Sequence, residues 1–458
     1  MRITLPEKVN YIIEELMAHG YEGYAVGGCV RDSLLGRIPG DWDITTSADP
    51  YQVKQIFSRT IDTGIKHGTV TVMLGKEGFE VTTYRLDGEY EDNRHPKQVE
   101  YTKSLIEDLK RRDFTINAMA YNAKDGLVDE FDGLKDLKEK KIRCVGSADQ
   151  RFEEDALRIL RAVRFSAQLN FTIEDETFAA IRLKALNLRN ISAERIREEL
   201  NKLLLSNHPE KLMIAYEAGL TKVILPEFDQ MLATTLKIPY LQENVGEHTI
   251  EALRYFVEKV SKEVEDKKQQ LIYRWAILLH DVAKPTIKGI DSQTNNNTTE
   301  HETKGAIMAK TILRRLKFDN ETITSVTKLV YYHNFIFGTS KEDIRRATNL
   351  IGEKYMPMLF VIQECNMQGK SPQEIEKMSK VLNLAKELYH EIIEHGECVS
   401  LKMLAVNGKD LIEQGFEPGE NIGRLLDMLL ERVLVDPTLN TKDQLLTIAK
   451  KQLSIITE

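Results

Sequence analysis

"YAVGGCVRDSLLGRIPGDWDI" fills residues 24–44 and brings together two adjacent glycines, an Arg-Asp pair and two aspartates separated by one residue. Its first residues are typical of a strand and "CVRDSLLG" of a helix, so the glycines between them predict a tight turn. A glycine turn at the start of a helix exposes backbone N–H groups to an anion, and at Gly28 a phosphate could approach closely. Arg31, in the first turn of that helix, could pair with phosphate oxygens in bidentate fashion. The stretch therefore predicts a phosphate-binding turn.

The two aspartates at the end of this stretch predict a metal site. Asp41 and Asp43 belong to a strand predicted near Trp42–Thr45, so their side chains should point to the same side. Carboxylates this close repel each other unless a cation separates them, and Mg²⁺ prefers oxygen ligands. An Asp-rich turn without function is the alternative for an isolated pair of this kind. The neighbouring phosphate-binding turn favours a nucleotidyl-transfer site.

Two-metal phosphoryl transfer also needs a group that helps to activate the attacking hydroxyl, so a third carboxylate is expected. Glu80, in the strand-like stretch "FEVTTYR", suits that role. A salt bridge between Glu80 and Arg85 at the edge of a sheet explains the residue equally well.

The composition is that of a soluble globular protein of about three domains. The net charge of −8 and the pI near 5.8 argue against nonspecific coating of nucleic acid, although a local basic groove remains compatible with them. No apolar run reaches the roughly 20 residues of a membrane span, and the acidic amphipathic start argues against a targeting peptide. Four widely spaced cysteines predict free thiols in a reducing cytoplasm.

The pattern of apolar residues predicts an α+β protein with a small mixed-sheet head followed by an all-α remainder. Strands are expected near Tyr24–Val26, Trp42–Thr45, Thr69–Leu74 and Phe79–Thr83, and a helix over Pro50–Phe57. From about Asp149 onward nearly every segment shows helical spacing. An Asn-rich stretch at 290–302 predicts a surface loop. The expected domains are a head (1–148), a neck (149–225), a body (226–370) and a tail (371–458).

One helical stretch, "EEDALRILRAVRF" at 153–165, carries polar residues at steps of three. Asp155, Arg158, Arg161 and Arg164 should therefore share one face of a helix. An exposed salt bridge between residues i and i+3 is the alternative. An aspartate accepts from exocyclic amines and an arginine donates to ring nitrogens and carbonyls, so the pair could match the Watson–Crick edge of C or A. A wrong base would leave buried groups unpaired, at about 1–3 kcal/mol each.

Five motifs resemble those of the class II tRNA nucleotidyltransferases, which include CCA-adding enzymes and bacterial poly(A) polymerases. "GGCVRDSLLGRIPGDWD" resembles the signature of this branch of the polymerase β-like superfamily. It is followed in family order by "RRDFTINAMAYN" (111–122), "DGLKDLKEKKIR" (132–143), the 153–165 helix and "ISAERIREEL" (191–200). The resemblance implies that the chain adds nucleotides to tRNA from CTP and ATP, with Mg²⁺ and without a nucleic-acid template.

The resemblance also implies a role for each candidate residue. Asp41 and Asp43 hold Mg²⁺ and Glu80 assists the 3′-hydroxyl, while Asp155 and Arg158 select the base. The remaining expected nucleotide contacts are Gly28 and Arg31 at the glycine turn, Arg161 and Arg164 toward the triphosphate, Arg112 on the nucleotide, and Asp113 and Asn117 on the ribose or fixing the loop.

Two further features bear on which member of the family is expected. The polar segment Arg85–Leu105 is complete, whereas enzymes of this family that add only C lack part of it. The carboxyl-terminal stretch lacks the basic extension usual in bacterial poly(A) polymerases. Full CCA addition is therefore expected, with tRNA bound along head, neck and tail. Poly(A) synthesis, C-only addition and a noncatalytic RNA-binding module are the alternatives.

The second half resembles the HD superfamily of metal-dependent phosphohydrolases. His248, "LLHDVAKP" with His280 and Asp281, His301 and His333 occur in that family's order, which implies an additional divalent metal. Where the superfamily tends to place a further aspartate, this chain has Asn366. The loss of a negative ligand leaves two hypotheses, an HD-type hydrolase and a helical scaffold that binds tRNA.

Overall fold

The computed structural model describes residues 2–87, 99–235, 244–287, 298–368 and 370–457. The chain forms two compact units, Met1–Asp229 and Gln230–Glu458. The division lies close to the neck–body boundary predicted at residue 225, and the other predicted boundaries stay predictions. The strands of the first unit are β1 Gly23–Val26, β2 Ile44–Thr46, β3 Thr60–Gly64, β4 Thr69–Leu74, β5 Glu77–Thr83, β6 Arg85–Asp87, β7 Val99–Tyr101, β8 Ala120–Asn122, β9 Gly126–Val128, β10 Lys141–Ile142 and β11 Thr172–Ile173.

The helices confirm an α/β head followed by a helical remainder. Those that begin in the first unit are α1 Glu7–Ala18, α2 Gly28–Leu34, α3 Pro50–Ile56, α4 Leu105–Lys110, α5 Gly133–Glu139, α6 Ala148–Glu154, α7 Leu157–Leu169, α8 Asp175–Lys184, α9 Ala193–Leu204, α10 Leu212–Glu217, α11 Thr221–Ile224 and α12 Pro226–Leu232. Those of the second unit are α13 Val245–Tyr255, α14 Lys267–Leu279, α15 Thr298–Arg315, α16 Asn320–Tyr332, α17 Lys341–Ile351, α18 Met356–Asn366, α19 Pro372–Glu394, α20 Gly408–Glu413, α21 Glu420–Val435 and α22 Lys442–Thr457.

A mixed seven-stranded sheet in the order β3-β4-β5-β2-β1-β8-β9 forms the centre of the head. Strands β2 and β5 run parallel, with Ile44 opposite Val81, and the other neighbours are antiparallel. Helix α1 packs on β1 and buries its apolar stripe, including Ile12 and Leu16, because these residues recur at helical spacing. The sheet therefore presents the start of β2 beside the middle of β5.

Four of the predicted elements are confirmed, and one is displaced. Strands β1, β4 and β5 and helix α3 occur where they were predicted, and Asp49 caps α3 by accepting from the backbone N–H groups of Tyr51 and Gln52. Strand β2 begins only at Ile44, so Asp41 and Asp43 precede the strand instead of forming part of it. The short strands β3, β8 and β9 were not predicted, because three to five residues give little periodicity.

The prediction of one continuous helix over 153–165 is wrong. Helix α6 ends at Glu154 and α7 begins at Leu157, with Asp155 extended between them at φ −140° and ψ 103°. The carboxylate of Asp155 accepts from the backbone N–H of Leu157 at 3.0 Å. Aspartate favours such positions at helix starts, and a break of two residues leaves the apolar period almost unchanged.

Two segments predicted as loops are only partly described. In 85–105, β6 and β7 pair as antiparallel strands and α4 begins at Leu105, while residues 88–98 lie outside the described residues. In the Asn-rich stretch, residues 288–297 also lie outside them, and 298–302 open α15 instead of continuing a loop. Within the described ranges, no helix has both the length and the apolar character needed to cross a membrane.

Candidate functional site

Three predicted carboxylates of the head surround one cavity. Asp41, Asp43 and Glu80 line a space of about 760 Å³ together with Trp42 and Phe79. The parallel pairing of β2 with β5 explains this placement: Ile44 lies opposite Val81, so the preceding residues, Asp43 and Glu80, reach the same place on the sheet. Arg85, the alternative partner for Glu80, donates instead to the backbone carbonyl of His67.

The charge around Asp43 fits a cation site. Removal of water raises the pKa of the Asp43 carboxyl, the positive charge of Arg112 opposes this shift, and the negative charge of Asp41 adds to it. Both aspartates are exposed to the cavity. A divalent cation between them would relieve their mutual repulsion and stabilise both ionised forms.

The glycine turn has the geometry predicted for it. Gly27 has φ +80°, a conformation that side chains rarely adopt, and immediately precedes α2. A Cβ atom at Gly27 would lie 2.9 Å from Nη1 of Arg112. Gly28 begins the helix. The turn thus brings the backbone and Arg112 into close contact near Asp43, whose backbone carbonyl accepts from the N–H of Val26 at 3.0 Å.

Arg31 links this turn to the motif at residues 111–122. It donates from Nη1 to Oδ1 of Asn117 at 2.6 Å, and from Nε and Nη2 to the carboxylate of Asp32 at 2.9 Å. Asn117 in turn donates to Oδ1 of Asp113 at 3.1 Å. Of the two roles predicted for Asp113 and Asn117, this geometry supports the one in which they fix the loop.

Asp113 also joins the loop to α7. Arg161 donates to its Oδ2 from Nε at 2.8 Å and from Nη2 at 2.6 Å. Burial alone would raise the pKa of Asp113, but the charge of Arg161 and hydrogen bonds from Asn117 and Arg161 hold it well below its usual range. A chain of polar contacts therefore runs from Arg31 through Asn117 and Asp113 to Arg161.

Phe165 lies at the centre of three guanidinium groups, a feature that we did not predict from the sequence. The guanidinium carbons of Arg31, Arg161 and Arg164 lie 5.0, 5.4 and 3.8 Å from its ring centre. Arg164 is buried and donates to Glu199 at 2.5 Å and to Gln168 at 2.7 Å. Asp155, Arg158, Arg161 and Arg164, which were predicted to share one helical face, therefore do not form a continuous exposed surface. Arg164 points into the interior.

The two residues predicted to select the base are held by different partners. Oδ2 of Asp155 accepts from Nη2 of Arg195, on α9, at 2.8 Å. Arg158 donates to Glu154 at 2.6 Å and to the backbone carbonyl of Arg111 at 3.1 Å. Arg195 belongs to the quoted stretch "ISAERIREEL", but only the fold reveals its contact with Asp155.

A second cluster lies within the helical unit. His248 on α13, His280 after α14, His301 on α15 and His333 after α16 surround Asp281. Their Nε2 atoms lie 3.9, 3.2, 3.3 and 3.5 Å from its carboxylate oxygens, and all five side chains are at least nine-tenths buried. The structure thus brings together every residue that the sequence predicted for an additional metal.

The protonation of this cluster suits metal binding. Nδ1 of His280 and Nδ1 of His333 each lie 2.7 Å from a backbone carbonyl, so Nε2 is the nitrogen turned toward Asp281. Burial lowers the pKa of His248 and His333 to about 4. Burial would raise the pKa of Asp281, but the charges of His280 and Lys284 hold it well below its usual range. His248 and His333 are therefore neutral at neutral pH and lie beside an ionised carboxylate, and these are the protonation states in which both groups bind a metal ion.

Several polar atoms of the cluster lack a hydrogen-bond partner in the part of the chain that is described. They are Nδ1 of His248, Nε2 of His280, Oδ1 of Asp281 and both ring nitrogens of His301. Buried polar groups are rarely left unpaired, and an ion would satisfy such atoms. Two three-ligand groups have spacing that fits a metal, one with His248 and His280 and the other with His301 and His333, and both share Asp281.

Comparisons with known proteins agree along the chain. Family models match at residues 23–143 (Poly A polymerase head domain), 170–232 (Probable RNA and SrmB-binding site of polymerase A) and 305–449 (tRNA nucleotidyltransferase domain 2). The chain is 36% identical to the CCA-adding enzyme of Lactiplantibacillus plantarum over 450 residues, which cover 96% of this chain and 94% of that one. It is 36% identical to the CCA-adding enzyme of Lacticaseibacillus paracasei over 438 residues, which cover 96% and 94% of the two chains.

Solved structures show the same fold. The Bacillus stearothermophilus CCA-adding enzyme in complex with CTP superposes with a TM-score of 0.71 at 29% identity, covering 99% of both chains. The Thermotoga maritima CCA-adding enzyme complexed with tRNA superposes with a TM-score of 0.60 at 20% identity, covering 99% of this chain and 100% of that one.

Proposed function

This chain belongs to the family of CCA-adding enzymes, and we infer its function from that membership. It is a nucleotidyltransferase that adds CCA to the 3′ end of tRNA from CTP and ATP, and its reaction depends on a divalent metal. The observation that carries this conclusion is the identity of 36% over 96% of the chain. The carboxylate cavity lies inside the segment that matches the polymerase head domain.

The test is extension of a tRNA truncated before CCA, with purified protein, Mg²⁺ and CTP, ATP or both. We expect two added nucleotides with CTP alone and three, ending in A, with both. Long A tracts would indicate a poly(A) polymerase, and a product that stops at two C with both nucleotides would indicate a C-only enzyme.

For the catalytic residues we propose that Asp41 and Asp43 hold Mg²⁺ and that Glu80 receives the proton of the attacking 3′-hydroxyl. The shared cavity and the raised pKa of Asp43 support this assignment. The bound ion would polarise the α-phosphate of the nucleotide. The hydroxyl oxygen attacks that phosphorus, the bond to the β-phosphate oxygen breaks, and pyrophosphate leaves.

For nucleotide binding we propose that the glycine turn at Gly28 and Arg31 contact the phosphates, with Arg112 nearby. Asp155 and Arg158 would then present an acceptor and donors to the base edge, which C or A satisfies and G or U does not. The Arg161 side chain is half-buried and pairs with Asp113. Contacts with phosphates and with the shape of the acceptor arm would hold tRNA along the head, neck and tail.

We propose a second site in the helical unit, a transition-metal ion bound by His248, His280, Asp281, His301 and His333. The buried, unpartnered ring nitrogens support it, and imidazole-rich sites suit Zn²⁺, Ni²⁺ or Fe²⁺ better than Mg²⁺. Metal analysis of the purified chain should find an ion that Asp281→Ala loses while CCA addition continues. Hydrolysis of 2′,3′-cyclic nucleotides to nucleoside monophosphates that survives Asp41→Ala but not Asp281→Ala would add a hydrolase activity.

We further propose that the protein works in the cytoplasm, where thiols stay reduced. The four cysteines are buried and free, and burial raises the pKa of the Cys29 and Cys144 thiols, which keeps them protonated. Cell fractionation with antibody detection is the corresponding test.

A further inference from the structure

Asp108, on α4, carries a fully buried carboxylate whose two oxygens both accept hydrogen bonds. Oδ1 accepts from Nε and Nη2 of Arg111 at 3.0 and 2.8 Å and from the backbone N–H of Arg85 at 3.4 Å. Oδ2 accepts from the hydroxyl of Thr45 at 3.2 Å and lies 3.5 Å from Nη2 of Arg112. Asp108 therefore connects α4 with strands β2 and β6 and with the two arginines that follow the helix.

The guanidinium of Arg112 reaches from Asp108 to the glycine turn. Its Nη2 is the atom that faces Oδ2 of Asp108, whereas its Nη1 lies 2.9 Å from the place that a Cβ atom of Gly27 would occupy. The positive charge of the same group acts on Asp43. One end of the guanidinium is thus held by Asp108, and the other end lies where we propose that the phosphates of the nucleotide bind.

Asp108 is the one acceptor that holds Arg112 within the described ranges. The Nε atom of Arg112 lacks a hydrogen-bond partner there, and the ion pair with Asp108 is the single contact of the guanidinium with a carboxylate. A long side chain keeps one direction only when a partner offsets the loss of its rotamer freedom. The Arg112 side chain remains 21% exposed, so a ligand can still reach it.

Resting on the nucleotide site proposed above, we propose that Asp108 is a positioning residue for nucleotidyl transfer. It holds Arg112 against the glycine turn, so that the guanidinium faces the triphosphate of the incoming nucleotide. Direction matters for this group, because its N–H donors lie in one plane and pair with phosphate oxygens two at a time. Asp108 is itself fully buried, so its effect on the nucleotide passes through Arg112.

The substitution Asp108→Asn separates the functions of the two carboxylate oxygens. The amide oxygen should take the position of Oδ1, because Arg111 and Arg85 present three N–H donors there. The amide NH₂ group then replaces Oδ2 and faces the guanidinium of Arg112, which has donors and no acceptor. The variant therefore removes the acceptor of Arg112 and keeps the contacts with Arg111 and Arg85.

The experiment measures incorporation of CTP into a tRNA truncated before CCA by the full chain, Asp108→Asn, Arg112→Ala and the double variant. In Asp108→Asn we expect kcat/KM for CTP to fall by about tenfold or more, the usual effect of losing a hydrogen bond to a charged group, while KM for tRNA stays unchanged. Adding Asp108→Asn to Arg112→Ala should cause no further fall. Glu107→Gln removes a partly exposed carboxylate from the same helix and should match the wild type.

Each outcome has a distinct meaning. Wild-type kcat/KM in Asp108→Asn would overturn the positioning role, and so would a loss in the double variant equal to the product of the two single losses, because the residues would then act independently. Wild-type kcat/KM in Arg112→Ala would instead refute the contact of Arg112 with the nucleotide, on which the inference rests.

Arg112→Lys tests the same inference with Asp108 in place, and it decides the question even if Asp108→Asn does not fold. A single ammonium group cannot pair with Asp108 and reach the glycine turn at the same time. We therefore expect kcat/KM for CTP to fall nearly as far in Arg112→Lys as in Arg112→Ala. Wild-type kcat/KM in Arg112→Lys would show that charge alone suffices and would overturn the positioning role.

Discussion

Nη2 of Arg195 donates to Oδ2 of Asp155 at 2.8 Å, and this contact joins helix α9 to the two-residue break between α6 and α7. The Oδ1 atom of Asp155 accepts from the nearby backbone N–H of Leu157, whereas its Oδ2 atom is held by a side chain from a different helix. Arg195 is therefore positioned to hold the acceptor that we propose reads the base.

Arg195→Ala should weaken the selection of nucleotides more than the reaction itself. Loss of one charged hydrogen bond, worth about 1.5–3 kcal/mol, predicts roughly a 10- to 100-fold fall in kcat/KM for CTP, with relatively more incorporation of UTP. Primer extension with each nucleotide measures both effects. Lys202→Ala, at an exposed position of the same helix, serves as the control. Unchanged base choice in the folded Arg195 variant would contradict this positioning role.

The carboxylate cavity predicts a graded loss of activity. Asp41→Ala and Asp43→Ala should each reduce incorporation by about a thousandfold or more, because charge stabilisation at the reacting phosphate is lost. Glu80→Gln should lower kcat by about 10²- to 10⁴-fold, the usual contribution of a general base. Single-turnover extension assays measure these rates. Glu77→Gln, on the same strand and cavity but paired with Lys8, should be almost as active as the wild type.

The glycine turn gives a matched pair of substitutions. Gly27→Ala faces both a positive φ and a contact of 2.9 Å with Arg112, whereas Gly36→Ala has a positive φ of +70° and nothing within 4 Å. Both should lose about 1 kcal/mol or more of stability from the backbone. Only Gly27→Ala should also lose affinity for CTP, measured by calorimetry. Equal CTP affinity in the two variants would exclude a phosphate-binding role for the turn.

Acidification should reveal the link between Arg112 and Asp43. Metal binding requires the ionised Asp43. Partial loss of water raises the pKa of this carboxyl and the charge of Arg112 opposes that shift, so activity at fixed Mg²⁺ falls as Asp43 takes up a proton. Removing the positive charge in Arg112→Ala should raise this pKa further and move the acidic limb of the kcat/KM profile to higher pH. The exposed Lys110→Ala supplies the control. A limb that stays in place, or moves to lower pH, would refute the link.

Arg164 and Glu199 form a buried ion pair with a predictable effect on stability. Glu199→Ala leaves a buried guanidinium without its carboxylate and should destabilise the protein by about 3–5 kcal/mol in urea unfolding. Glu194→Ala, at an exposed position of the same helix, should change stability by less than about 0.5 kcal/mol. If Arg164 instead serves mainly to contact the triphosphate, Arg164→Ala would reduce CTP binding. The urea concentration at which the variant unfolds would then equal that of the wild type.

Much of the candidate site was predictable because its residues are close together in the chain. Gly28, Arg31, Asp41 and Asp43 fall within one short stretch, and their chemistry is evident from residue type and spacing. The four histidines were predictable as a set only through a resemblance, since neighbouring members are 21 to 32 positions apart in the sequence. The contact between Arg31 and the ring of Phe165 carried no local signal.

Residue order alone determined that a glycine turn precedes two aspartates, that strands give way to helices, and that the family motifs follow one another. The tertiary structure decided which of these residues share a site: the parallel pairing of β2 and β5 places Glu80 beside Asp43, and helix packing turns Arg164 inward and Arg195 toward Asp155. The physical reason is that periodicity reports only which side of an element is apolar. The partner of a polar group depends on elements distant in sequence.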